Sequence, residues 1–159
     1  MLTEEMKRLI REQRLGYVAT VCPDGTPNLS PKGTVAVWED DHLIIADLRS
    51  AGTVANLAHN PVVEINVVDP FARKGYRFKG TARVVTEGPL YEAALASYEQ
   101  QGLFDAPLRI HCIVIVKVER ARPLVSPGYE RRVTEKQVRE QWSAYYASLR
   151  RDAAGPEET

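Results

Sequence analysis

The chain of 159 residues has little cysteine, no net charge and no long apolar run. Its two cysteines, Cys22 and Cys112, cannot form the dense disulfide framework of a small secreted domain. They read as reduced, half-buried strand residues. Lys and Arg together number 21, and Asp and Glu also number 21, so the formal net charge is +0. That balance argues against a broad nucleic-acid or anionic-membrane surface, while leaving room for a local basic patch. No apolar segment approaches the roughly 20 residues of a membrane-spanning helix. The N-terminus, "MLTEEMKRLIREQRL", is charged and amphipathic and lacks the apolar core of a signal peptide. The expectation is a cytoplasmic protein with no membrane and no nucleic-acid partner.

Several chemistries also lack their signatures. His42, His59 and His111 have no metal-ligand spacing, and His111 and Cys112 would point to opposite faces of a strand, so no metal site is expected. There is no GxGxxG, no Walker loop and no GxSxG. No nucleophile or acid–base pair stands out, so catalytic residues stay unassigned. An enzyme with this sequence would need a cofactor to bring the chemistry.

What is present is one well-patterned domain. Apolar residues make up 44% of the chain, enough for one core. The domain is expected over residues 1–151, with 152–159 as a disordered tail. Thr3 can cap a helix over 3–14, with Met6, Leu9 and Ile10 on one face. "GYVATVC" reads as a strand, and "PDGTP" as a turn in which proline presets φ and glycine takes the left-handed position. A strand from about 27 to 38 follows, then "HLIIAD" (42–47) as a buried strand. Residues 49–61 change period, with Val54, Leu57 and Ala58 on one helical face. Strands follow at 62–69, 76–85 and 111–125. A helix opens at Gly88-Pro89, with Leu90, Ala94, Leu95 and Tyr98 facing in. Another runs over 134–151, with Val138, Trp142, Tyr145 and Leu149 as its stripe. Consecutive strand pairs with few helices predict an antiparallel sheet or small barrel in an α+β layout.

Three segments could carry chemistry. The helix start "DLRSAGT" follows a buried strand, and Ser50 and Thr53 place two hydroxyls where free N–H groups attract anions. A glutamate at position 53 would complete a capping box and repel a phosphate; Thr53 does not. An ordinary N-cap fits the same residues. In "NLSPKG", Pro31 cannot donate to a ladder, so local backbone groups are freed. Asn28, Ser30 and Lys32 would then share a polar face suited to a flat heterocycle, or the segment is an edge strand guarded by Pro and Lys. In "RKGYRFKGTAR", Arg77, Lys79 and Arg83 form a stripe, while Tyr76 and Phe78 point the other way. Bases could not stack where phosphates bind. A solvated face and an anion contact both fit.

The order of these features resembles the pyridoxamine 5′-phosphate oxidase-like family of FMN-binding split-barrel proteins. The matching stretch is "GYVATVCPDGTPNLSPKGTVAVWEDDHLIIADLRSAGTVANLAHNPVVEINVVD" followed by "RFKGTARVV", about residues 14–87. "SPGYERRVTEKQVREQW" is similar to the tail of a bacterial subgroup. The resemblance implies a mainly β (α+β) fold, a six-stranded antiparallel split β-barrel with peripheral helices. It implies a homodimer with FMN at the subunit interface and a hydride passed through the flavin to or from a small-molecule substrate. Carried over, Asn28, Ser30, Pro31 and Lys32 would line the ring, and Ala46 and Asp47 would sit at a strand end beside it. Arg49, Ser50, Thr53 and Asn56 would serve the phosphate. Lys79 would add a contact, from this subunit or its partner. Family members that use the deazaflavin F420 or bind haem leave an F420-dependent reductase open, as well as a non-catalytic flavin-binding or sensing protein.

Two departures separate this chain from true pyridoxamine phosphate oxidases. Gly52-Thr53 stands where those enzymes carry an Arg-Lys pair. The chain ends in a helix and an acidic tail, not in an arginine-containing substrate segment. Oxidation of vitamin B6 is therefore not expected. The phosphate assignment is testable directly: a Ser50→Ala/Thr53→Ala variant should lose FMN, read by fluorescence titration, while its circular dichroism stays that of the wild type.

Overall fold

A computed structural model describes residues 1–49, 51–103 and 110–153. Seven strands form one antiparallel sheet: β1 (Gly16–Val21), β2 (Pro27–Lys32), β3 (Val35–Val37), β4 (His42–Asp47), β5 (Val62–Asp69), β6 (Lys74–Val85) and β7 (Cys112–Val125). Four helices surround it: α1 (Glu4–Gln13), α2 (Ala51–His59), α3 (Pro89–Gln100) and α4 (Glu135–Ala153). The strand order is β2-β1-β5-β6-β7-β4-β3.

That order corrects the expectation of six strands. The segment from 27 to 38 is two strands, because Gly33 and Thr34 turn between them. β2 pairs with β1 and β3 pairs with β4, so the two lie at opposite edges of the sheet. In a flat seven-stranded sheet the edges would be about 29 Å apart, at ~4.8 Å per strand spacing. The three peptide steps from Lys32 to Val35 reach only about 11 Å. The sheet must therefore curl until its edges meet.

The curl encloses the main core: Val18, Val35, Leu43, Ile45, Val63, Ile65, Val67, Phe78, Val114 and Val116. α1 closes one end with Leu2 and Ile10; Thr3 caps it by accepting from the Met6 N–H at 3.3 Å. A second cluster packs Ala36, Ile44, Ala46, Ile113 and Ile115 against Ala94 and Tyr98 of α3. β4 is thus covered on both faces, which explains its continuous apolar run. Leu90, placed in the α3 stripe by its spacing, is exposed.

α4 is held by charge and aromatic contacts. Arg139 pairs with buried Asp69 at 2.8 Å, and Lys74 with Glu135 at 2.9 Å. The Arg73 guanidinium lies 3.3 Å over the Trp142 ring. Only the start of the expected stripe is buried: Val138 is, whereas Tyr145 and Leu149 are exposed. Spacing identified an amphipathic helix but not how much of it the body covers.

At the register shift between Lys79 and Gly80, β6 passes so close to β7 that a Cβ on Gly80 would fall on the Lys117 carbonyl oxygen. Gly52, by contrast, has nothing within 4 Å of an added Cβ. Gly80→Ala should cost about 3 kcal/mol or more in urea unfolding, and Gly52→Ala should stay within about 1 kcal/mol of wild type.

Candidate functional site

Five of the six buried polar or charged residues named here belong to β1, β2, β4 and α2: Thr20, Lys32, Asp47, Thr53 and Asn56, with Asp69 apart, paired to Arg139 of α4. Strand alternation sets the first of them. In β2 the exposed residues are Pro27, Leu29 and Pro31, so Asn28, Ser30 and Lys32 turn to the other face. Lys32 ends the strand and is buried. Its ammonium donates to Ser30 Oγ at 2.7 Å. Burial lowers the Lys32 pKa, and the nearby Asp47 charge opposes that shift. Asp47 ends β4, where its carboxylate lies 3.9 Å from the Cys112 thiol. Burial first, and then Asp47, push the Cys112 pKa up to about 11.

A second group joins this one along β2. Thr20 Oγ1 accepts from Asn28 Nδ2 at 3.2 Å and from Asn56 Nδ2 at 3.0 Å. Asn56 Nδ2 also lies 3.5 Å from Cys22 Sγ. Thr53 sits one turn before Asn56 and is buried with it. The buried face of α2 is therefore Thr53, Asn56 and Leu57, not the expected Val54, Leu57 and Ala58; Ala58 is exposed. Helix α2 turns polar groups inward.

The structure thus links Asn28 and Asn56 through Thr20, and Ser30 and Asp47 through the Lys32 amine, while Thr53 is buried on the same face of α2 as Asn56. The other sequence-based site residues stand elsewhere or lie outside the described residues. Pro31 is exposed on the opposite face of β2, across from Tyr17. Ala46 turns its side chain into the second core cluster, and its carbonyl accepts from the Thr34 hydroxyl at 2.8 Å. Arg49 is exposed on the link into α2. Lys79 is exposed on the outer sheet face, in register with Glu64 and Arg120. Ser50 lies outside the described residues. Thr20 was not singled out from sequence, although a hydroxyl amid "VATV" was the available signal.

Histidine spacing also hid one grouping. Glu39, Asp41 and His42 gather in the β3–β4 turn, with His42 Nδ1 2.8 Å from Asp41 Oδ1 and 3.2 Å from Glu39 Oε2. Their ligand-capable atoms lie within 4.8 Å of one another. Exposed carboxylates commonly cluster in this way without a metal.

Comparison with known proteins agrees with the fold. The family model described as pyridoxamine 5′-phosphate oxidase matches residues 2–124. The chain belongs to this family. HupZ of Group A Streptococcus is 38% identical, with a TM-score of 0.70, over 79% of this chain and 96% of that one. A protein named F420 reductase is 23% identical, with a TM-score of 0.58, over 76% and 98% of the two chains. An FMN-binding protein from Syntrophomonas wolfei is 16% identical, with a TM-score of 0.62, over 77% and 86%. At these last two identities the likeness shows the fold alone. No curated protein matches the chain. Among the described residues, no helix is long and apolar enough to cross a membrane.

The two cysteines should differ in reactivity. Cys22 is half-buried, whereas Cys112 is buried with its thiol pKa raised. Iodoacetamide at pH 8 should alkylate Cys22 first, leaving Cys112 for denatured protein. Peptide mass mapping reads the order; equal native labelling would contradict it.

Proposed function

We propose that this chain binds FMN as a cytoplasmic homodimer and acts as a flavin-dependent oxidoreductase on a small molecule. The observation that supports the reading is the β2 face of Asn28, Ser30 and Lys32, which meets Asp47 of β4 at one end and, through Thr20, Asn56 of α2 at the other. The donor set fits such a cofactor. It offers an amine, hydroxyls and amides on an otherwise apolar scaffold, as pockets for polar heterocycles do.

When bound, FMN supplies hydride transfer at its ring system. The chain's own residues bind and orient. Lys32 would offer a positive charge to the ring, and Asp47 opposes the loss of that charge on burial. Ser30 fixes the amine's direction. Asn28 and Asn56, locked on Thr20, set the adjoining amides. Thr53, the first N–H groups of α2 and Arg49 would hold the phosphate. Gly52-Thr53 supplies no Arg-Lys pair, so vitamin B6 oxidation is not part of the proposal.

The test is titration of purified protein with FMN and with F420, followed by addition of NADH or NADPH. FMN should bind, with absorbance near about 450 nm, and the bound flavin should bleach when the donor is added. Lys32→Met should weaken FMN binding by about tenfold or more, the effect of losing one charged hydrogen-bonding group. Ser30→Ala, which keeps the buried charge pair, guards against a folding artefact and should weaken binding less. Binding of F420 alone, or of neither cofactor, would overturn the proposal. A bound FMN that no donor reduces would leave a binding protein and sink the enzymatic half.

A further inference from the structure

The outer face of β6 and β7 carries a charge pattern that sheet energetics disfavours. Arg77 stands opposite Arg122, and Lys79 stands opposite Arg120. All four are exposed. Between them, Phe78 and Ala121 pack toward the core, so the four cations occupy consecutive outward positions. Like charges directly opposite each other destabilise an antiparallel pair, and here two such pairs adjoin. Arg77 has a carboxylate partner, Glu64, at 2.9 Å. Glu119, in the neighbouring bulge, is engaged by the Thr81 hydroxyl at 3.1 Å. Among the described residues, Lys79, Arg120 and Arg122 have no ion-pair partner. Since the whole chain is neutral, this concentration does not follow from a basic composition.

We propose that this face is a binding site for a small ligand carrying two adjacent phosphoryl groups, a diphosphate. Neighbouring strands are about 5 Å apart and successive outward positions about 7 Å apart. The four Cα atoms thus bound a small rectangle over which four long cationic side chains can converge. Arginine forks match phosphoryl oxygens in paired hydrogen bonds. The patch is shorter than the several phosphates a duplex would present. Tyr76 packs with Phe78 on the opposite side, so the patch lacks the stacking platform single strands use. Lys79 is also among the cofactor contacts the family resemblance implies, whereas Arg77, Arg120 and Arg122 are not, and Lys32 and Asp47 lie on the other face of the sheet.

Thermal melting at low ionic strength tests the assignment, with inorganic pyrophosphate against sodium chloride of matched ionic strength. Pyrophosphate should raise the wild-type Tm by several degrees, saturably, beyond the chloride control. An Arg120→Gln/Arg122→Gln variant relieves both like-charge pairs. It should melt higher than wild type without ligand, lose the pyrophosphate response and keep its affinity for FMN. Lys79→Gln gives a single-site check and should reduce the response without removing it. A wild-type shift no larger than that of chloride overturns the proposal, as does an undiminished response in the double variant. Tighter binding of a short DNA or RNA than of pyrophosphate, seen as a gel shift, would likewise replace the small ligand.

Discussion

The link of Gly33 and Thr34 ties the two edges of a seven-stranded sheet together, and the polar interior depends on that tie. β2 ends at Lys32 opposite Gly16, and β3 begins at Val35 opposite Ile45. Gly16 lies so close to Val35 that a Cβ there would come within 2.8 Å of Val35 Cγ2. The seam therefore needs a residue without a side chain on one strand. At this seam Lys32 turns inward, and Asp47, two residues beyond Ile45 on β4, meets its charge. An edge lysine on an open sheet would stay in water. Closure is what buries it, and burial is what makes its carboxylate partner necessary.

The region beside the seam is costly as a core and coherent as a network. Thr20 accepts from two amides, and Asn56 donates to both Thr20 and Cys22. Removing one partner leaves the others in a dry environment without a hydrogen bond, at about 1–3 kcal/mol. Apolar residues at positions 20, 53 and 56 would pack the same space with less dependence on geometry. Helix α2 instead points Thr53 and Asn56 inward while Val54 is only half-buried. A helix that buries polar residues in place of apolar ones marks a site where something besides packing shapes the surface.

That departure also explains what could be read from the chain alone. Strand alternation in β2 placed Asn28, Ser30 and Lys32 together, and the helix after "HLIIAD" was visible from its change of period. The split of residues 27–38 was not, because "TVAVW" looks continuous with "NLSPKG" in pattern. Only Pro31 and Gly33 hinted at a break, and neither reveals that the two halves lie at opposite edges. The face of α2 was misjudged for the same reason: apolar spacing was followed where polar residues are buried. The exposure of Tyr145 and Leu149 depends on how far the sheet extends beneath α4, which no local pattern records.

The sign of the charges at α2 has a consequence for the proposed complex. With Gly52-Thr53 in place of a cationic pair, a phosphate there would be held mainly by hydroxyls, backbone N–H groups and the helix dipole. The dipole contributes about 0.3–1 kcal/mol at an exposed terminus, less than a buried ion pair with the same group. Hydrogen bonds of this kind are less sensitive to salt than exposed charge pairs, which are screened beyond about 8–10 Å. Lys32, being buried, is screened less than Arg49, which is exposed. Electrostatic recognition in this chain would therefore fall on the ring end of the site. Affinity would then respond more to the redox charge of the ring than to the phosphate that anchors it.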